Sequence, residues 1–293
     1  MKFFDKLHPA AAFIYFVVVV MLTMFTSNPL VVGASFVFGV AFCCFYFSAR
    51  DMCGSLLLAL PMMIVIALVN PLFVHKGDTI LFFLNDNPVT KEAILYGVNM
   101  SVMITAVYYW CKAYNRIVTS DKFVYLFGRV SPKLSLLLSL VIGFVPRLKR
   151  KYKEIDEAQK ALGVYARGGY TDKLASKFRV LSILVTDALE SSVMTADSMA
   201  ARGYGLRGRT SYSPFTFAPS DVFALLFVLA TGVAAIVLGA LKYGAFYFYP
   251  TLTELTFGAT ECIFYACVAC VFAYAALTEI GENLRWAYLK STI

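Results

Sequence analysis

Three groups of residues in this 293-residue chain have types and spacing that could carry chemistry. The first is a small residue, an arginine and a glycine in succession, found as Ala166-Arg167-Gly168 and again as Ala201-Arg202-Gly203. A planar guanidinium with five donors, flanked by residues too small to screen it, makes a projecting tip that an acidic groove of another protein can grip. The same triplet also reads as a helix end, because glycine accepts the positive φ past the last turn and arginine suits the dipole there. Local physics leaves both readings open. The second group is cysteine and histidine. Cys267-x-x-Cys270 has redox or metal spacing, yet it lies inside a continuous apolar run with no second pair and no histidine nearby, so packing is the better explanation. Cys43, Cys44, Cys53, Cys111 and Cys262 also fall in or beside apolar runs, and His8 and His75 stand far apart, so no metal site is expected. The third group is Glu254, Glu261 and Glu279, near the ends of the last apolar segment, where placement at the membrane interface accounts for a carboxylate.

The elements that must hold these residues are membrane spans. With 60% hydrophobic residues, the chain is more apolar than a water-soluble domain, which carries roughly half. A bilayer-crossing helix needs about twenty apolar residues, and six segments approach or meet that: 10–26, 30–49, 54–74, 94–115, 220–242 and 260–280. The fold class expected is all-α, a polytopic membrane protein of about six transmembrane helices with amphipathic helices between them. Lys2 and Lys6 lead into an apolar run with no small-x-small exit, so the first span is expected to be retained. Pro61 should kink the third span and Asn70-Pro71 should end it, after which the turn-rich outer segment 75–92 reads as plain connection and Thr90 can N-cap the next helix. The run Leu134 to Val145 is too short to cross and reads as an interfacial or re-entrant helix.

Charge sets the expected orientation. Of 26 Lys and Arg, 18 fall in residues 112–209 against 8 of the 18 Asp and Glu, so that stretch carries +10 and the remainder −2. The excess of basic residues at cytoplasmic ends of spans places this block, Lys2, Lys6, Arg50, Arg285 and Lys290 inside the cell, with both termini cytoplasmic. The division expected is 1–118 for the N-terminal spans, 119–211 for a cytoplasmic or interfacial helical region, and 212–293 for the C-terminal spans.

Within the central region, Pro146 opens a segment in which Leu148, Tyr152, Ile155, Ala158 and Leu162 mark one helical face. Asp156 and Lys160 form an i,i+4 pair, and Gly163 can supply the left-handed cap. Lys149, Arg150, Lys151 and Lys153 suit either a membrane-surface helix or a solvated face. A longer helix, about 173 to 202, carries Ala188, Ser192, Ala196 and Ala200 at four-residue intervals, a small-residue stripe that lets another helix approach closely. Asp187, Glu190 and Asp197 share a different face, which reads either as solvated or as pairing with a partner or with the preceding basic helix. Leu181, Leu184, Leu189, Val193 and Met199 add apolar surface. The helix should stop at Arg202-Gly203.

The stretches Ala158-Gln159-Lys160-Ala161-Leu162-Gly163 and Ala196-Asp197-Ser198-Met199-Ala200-Ala201-Arg202-Gly203-Tyr204-Gly205, continuing to Arg207-Gly208-Arg209-Thr210, resemble the transmembrane T component of energy-coupling factor importers, related to the membrane subunit of cobalt and nickel uptake systems. Asn70-Pro71-Leu72-Phe73 with Gly77, and Ser131-Pro132-Lys133-Leu134-Ser135, extend the resemblance over most of the chain. It implies a non-catalytic scaffold in a bacterial or archaeal plasma membrane, without a transport-substrate or nucleotide site of its own. Its coupling helices would cross under a substrate-binding S component, and their arginine-bearing ends would sit in grooves of two ABC-type ATPase subunits, either a homodimer or a heterodimer. ATP-driven closure would move those helices and let the S component release a vitamin or metal inward. The chain holds no Gly-x-x-x-x-Gly-Lys-[Ser/Thr] loop, which fits ATP being bound by partners and no cofactor here. Arg202 matches the family position closely. For the first position, both Ala166-Arg167-Gly168 and Ala161-Leu162-Gly163, with leucine replacing arginine, are available.

The rival function is a secondary transporter or channel acting alone, which needs ionisable residues deep within its spans, and these are sparse. An intramembrane enzyme lacks a mid-span histidine, aspartate pair or metal cluster. A lipid- or nucleic-acid-binding block rests on the +10 charge alone. The bilayer is the expected lipid partner, and no nucleic acid is expected.

Overall fold

The computed structural model describes residues 3–74, 76–84, 87–128, 131–163, 169–204, 206, 215–253 and 258–292. It divides into two compact units, residues 1–119 with 215–293, and residues 120–214. The first holds α1 (Phe3–Lys6), α2 (Pro9–Phe25), α3 (Pro29–Tyr46), α4 (Ala49–Phe73), α5 (Lys91–Ile117) and a hairpin of β1 (Ile80–Leu84) and β2 (Asn87–Thr90) between α4 and α5. The second holds α6 (Ser120–Gly128), α7 (Pro132–Ala161) and α8 (Tyr170–Ala201), and the chain then returns to the first unit as α9 (Pro219–Ala240) and α10 (Ala259–Thr292). The protein is an all-α polytopic membrane protein. Among the described residues, α3, α4, α5, α9 and α10 are long and apolar enough to span a bilayer, and α2 is a shorter apolar helix of 17 residues.

The helix starts follow from local chemistry. Proline stands at the first turn of α2, α3 and α9, where a missing N–H costs nothing. Asn28 accepts from the Leu30 N–H at 2.9 Å, and Thr90 accepts from the Ala93 N–H at 3.3 Å, the cap expected of it. Pro61 and Pro71 both lie inside α4, which runs on to Phe73. Asn70 earns its place differently from a helix stop: its side-chain amide donates to the Ala93 carbonyl at 2.9 Å and ties α4 to α5.

In the first unit α5 lies against α2, α3 and α4, while α10 packs on α9 and α3. Trp110 of α5 is fully buried beside Tyr15, Phe16, Phe42 and Phe272. Its indole N–H donates to Ser35 Oγ at 3.0 Å. Thr23 spends its own hydroxyl proton on the Val19 carbonyl at 2.8 Å, so Ser35 donates onward to Thr23 at 2.7 Å. These three polar side chains are thus satisfied within the protein, as a bilayer demands. Most of α4 is uncovered, with Leu57 76% and Phe73 78% exposed, an apolar surface that a bilayer or another membrane protein can cover.

Several sequence expectations change. The segment 75–92 expected as plain connection contains the antiparallel hairpin, with Phe82 opposite Val89 and Phe83 opposite Pro88. Its geometry requires Gly77: at φ +137° a Cβ would lie 2.6 Å from Glu92 Oε2 and 2.8 Å from Thr90 Oγ1. The Glu92 carboxylate accepts from the Thr79 hydroxyl at 2.6 Å. Helix α10 continues to Thr292, well past the expected end at 280. Glu279, expected at the membrane interface, is fully enclosed. Its Oε1 accepts from the Phe4 N–H at 3.1 Å and from the Tyr46 hydroxyl at 2.7 Å, binding α1 and α3 to α10. Glu261 sits in the first turn of α10 and accepts from the Gly258 N–H at 2.9 Å, while Glu254 lies outside the described residues.

Candidate functional site

The second unit is a helical hairpin of α7 and α8 with the nine-residue α6 packed on α7. The Ser135 hydroxyl donates to the Val124 carbonyl at 3.2 Å, joining α7 to α6. The run 134–145 is not a separate interfacial or re-entrant helix, and Pro146 does not open a new one. A single helix of 30 residues covers both, with Pro146 inside it. Proline removes one backbone bond, but the same side of the helix carries on through it, with Phe144, Leu148, Lys151 and Ile155 half-buried at spacings of four and three. That row differs from the expected face, since Tyr152, Ala158 and Leu162 are exposed.

Helix α8 meets this with its own row: Ser176 and Val180 are buried, and Leu184, Asp187, Ser191, Thr195 and Met199 are half-buried. Asp187 Oδ1 lies 3.5 Å from Lys151 Nζ, so of the two readings of the acidic face this residue pairs with the basic helix before it. Glu190 and Asp197 are exposed. Lys160 and Asp156 make the expected i,i+4 pair at 2.6 Å, and the bond from Asp156 raises the Lys160 ammonium above its ordinary pKa. The small-residue stripe lies beside the packed row, with Ala188 half-buried and Ser192, Ala196 and Ala200 exposed.

Both helices end as the glycines require. Gly163 has φ +71° and donates to the Lys160 carbonyl at 3.0 Å. At the end of α8, Arg202 is the C-cap and Gly203 follows at φ +77°. The Gly203 N–H donates to the Ala200 carbonyl at 3.0 Å and the Tyr204 N–H to the Met199 carbonyl at 3.1 Å. These two bonds form a complete Schellman cap, which fixes the direction in which the chain leaves the helix. Ala201 and Arg202 are exposed, and the Arg202 guanidinium has no ion-pair partner among the described residues. Glycine therefore shapes the cap, and the arginine it follows is exposed with its donors available. Ala166, Arg167 and Gly168 lie outside the described residues, while Leu162 of the alternative triplet is 75% exposed at the end of α7. Sequence reasoning missed α6, a nine-residue helix whose local signals were Asp121 in its first turn and Phe123 and Phe127 at one turn's spacing.

The α7–α8 hairpin also carries uncovered apolar surface, including Leu137 and Val145 on α7 and Phe178, Leu189, Val193 and Met194 on α8, each more than half exposed. Exposed apolar area of this extent marks a surface that another protein or a membrane covers.

The sequence is similar to those of known proteins. Over 103 residues, 34% of this chain and 39% of the other protein, the sequence is 34% identical to the energy-coupling factor transporter transmembrane protein EcfT of Streptococcus thermophilus. Over a further 103-residue match, 34% of this chain and 38% of the relative, it is 33% identical to EcfT of Streptococcus equi subsp. equi. A longer match of 177 residues, 56% of this chain and 66% of the relative, is 27% identical to EcfT of Listeria innocua. The chain thus spans about two fifths of the length of the two streptococcal relatives. The family profile described as "CbiQ: Cobalt transport protein" matches residues 2–212, from α1 through the Arg202 cap. This protein belongs to the CbiQ cobalt transport protein family.

Proposed function

We propose that this protein is the transmembrane coupling subunit of an energy-coupling factor importer for a vitamin or a transition metal. The observation that carries this reading is the end of α8: a 32-residue helix in the family-matched region terminates in a fixed cap that presents Arg202 outward. Two ABC-type ATPase subunits bind ATP and receive Arg202, with the 161–168 region supplying the second contact, through Arg167 or the Leu162 position. The exposed apolar faces of α7 and α8 and the small-residue stripe Ala188, Ser192, Ala196 and Ala200 support a substrate-binding membrane subunit lying against the hairpin. The basic excess of residues 112–209 supports a cytoplasmic location for this unit, with both termini on the same side. The chain itself performs no catalysis and holds no cofactor on this reading. A stand-alone transporter or channel is not favoured, because the buried carboxylate of Glu279 is engaged by Phe4 and Tyr46 as a structural tie.

The test is to purify the tagged full-length protein from its native membrane, identify what accompanies it, and measure ATPase activity and coupled uptake. The expected result is an ATPase pair that copurifies with the wild type, with coupled uptake lost in Arg202→Glu. Absence of any nucleotide-binding subunit overturns the assignment, and wild-type uptake in Arg202→Glu reduces that arginine to a cap.

A further inference from the structure

A cavity of about 640 Å³ opens between the α3–α4 turn and the end of α5, lined among others by Phe47, Arg50, Asp51, Lys112 and Arg116. Three cations share it with one carboxylate. Lys112 is immobilised: its ammonium donates to the Asp51 carbonyl at 3.2 Å and to Ser55 Oγ, and it lies 4.3 Å from the centre of the Phe47 ring. Two of its three N–H groups are thereby used and one is left for a ligand. Arg50 and Arg116 are exposed and have no ion-pair partner among the described residues. Ser48, which begins α4 at the cavity wall, makes no side-chain cap bond, so the first N–H groups of α4 also lack a side-chain acceptor. Directly beyond this polar mouth α4 turns apolar and uncovered, with Leu56, Leu57 and Leu58 exposed. A net positive cavity at the point where an uncovered apolar wall begins matches an amphiphile with an anionic head and acyl tails.

We propose that this cavity binds the phosphate of an anionic phospholipid, with Arg50 and Arg116 paired to its oxygens, Lys112 as a fixed third donor, and the tails lying along α4. Free phosphate shares the head chemistry without the tail contact. The site belongs wholly to the first unit and does not depend on the coupling role of Arg202.

The full-length protein in mild detergent is incubated with phosphatidylglycerol, phosphatidylcholine or inorganic phosphate, and retained ligand is read by native mass spectrometry. Phosphatidylglycerol is expected to be retained above phosphatidylcholine. Arg50→Gln with Arg116→Gln should lower its retention by roughly thirtyfold, the factor that corresponds to about 1 kcal/mol from each of the two basic residues at an anionic lipid surface. A second pair of variants guards against misfolding. A Cβ on Gly54, which also lines the cavity, meets nothing within 4 Å, so Gly54→Ala should bind as the wild type does, while Gly54→Asp, which places a carboxylate among the cations, should lose the lipid. Equal retention by wild type, the double variant and Gly54→Asp overturns the site. Inorganic phosphate that binds as tightly as phosphatidylglycerol, or displaces it at equal concentration, overturns the lipid as the ligand.

Discussion

At Arg202 two demands meet on adjacent residues. Gly203 must adopt φ +77° to close the Schellman cap, and any side chain there adds strain in a left-handed conformation. Gly203→Ala is expected to destabilise the end of α8 by about 1 kcal/mol, seen as increased amide exchange at residues 199–204 relative to the wild type. Arg202 contributes little to that cap, and its side chain is exposed. Replacing it with lysine keeps the charge but removes the planar fork, so on the proposed coupling role Arg202→Lys should lower uptake by roughly tenfold, the scale of one charge-assisted hydrogen bond. Initial uptake rates in proteoliposomes measure this, and a rate equal to that of the wild type would show that charge alone is recognised. The triplet was legible from composition because glycine after a periodic run is a strong stop signal. That the arginine beside it faces outward was not, since a C-cap side chain can equally fold back onto its own helix.

At the scale of the helical hairpin, α7 and α8 are held by a row of half-buried side chains and by the Lys151–Asp187 pair, whose side chains are 43% and 38% exposed. A pair this open is worth about 0.2–1 kcal/mol. Asp187→Lys should lower the unfolding midpoint of the purified protein modestly, and adding Lys151→Glu should recover most of the loss. A double-mutant cycle that shows no coupling would mean that the pair is incidental. The faces of these helices were only partly readable. Asp156–Lys160 follows from i,i+4 spacing within one helix, whereas the choice of Lys151 over Tyr152 for the inner row depends on where α8 lies. Continuity through Pro146 was likewise decided by the matching rows on either side, which outweigh one lost backbone bond.

In the membrane-spanning unit, association gains little from the hydrophobic effect and depends on close packing and satisfied polar groups. Trp110→Ala removes the largest buried ring and the donor to Ser35, and should cost about 3 kcal/mol or more. Glu279→Ala strips two donors, Phe4 N–H and Tyr46 O–H, of their acceptor, which should cost about 2 kcal/mol or more. Glu279→Gln retains an acceptor oxygen and should be clearly milder. Thermal unfolding of the three variants in detergent measures these differences, and equal loss in Glu279→Gln and Glu279→Ala would show that the carboxylate's charge matters more than its acceptor.

The sequence by itself determined the order of the apolar helices, the helix caps at Thr90, Gly163 and Gly203, and the family to which the α8 terminus points. Each of these follows from contacts within a few residues or from the length of an apolar run, quantities that a linear chain already contains. The tertiary structure alone decided that Glu279 is an internal tie, that Asn70 and Gly77 join α4, the hairpin and α5, and that Arg50, Lys112 and Arg116 converge on one cavity. The elements that meet in each case lie tens to hundreds of positions apart along the chain, and only helix packing sets the distances that give their residues a common role.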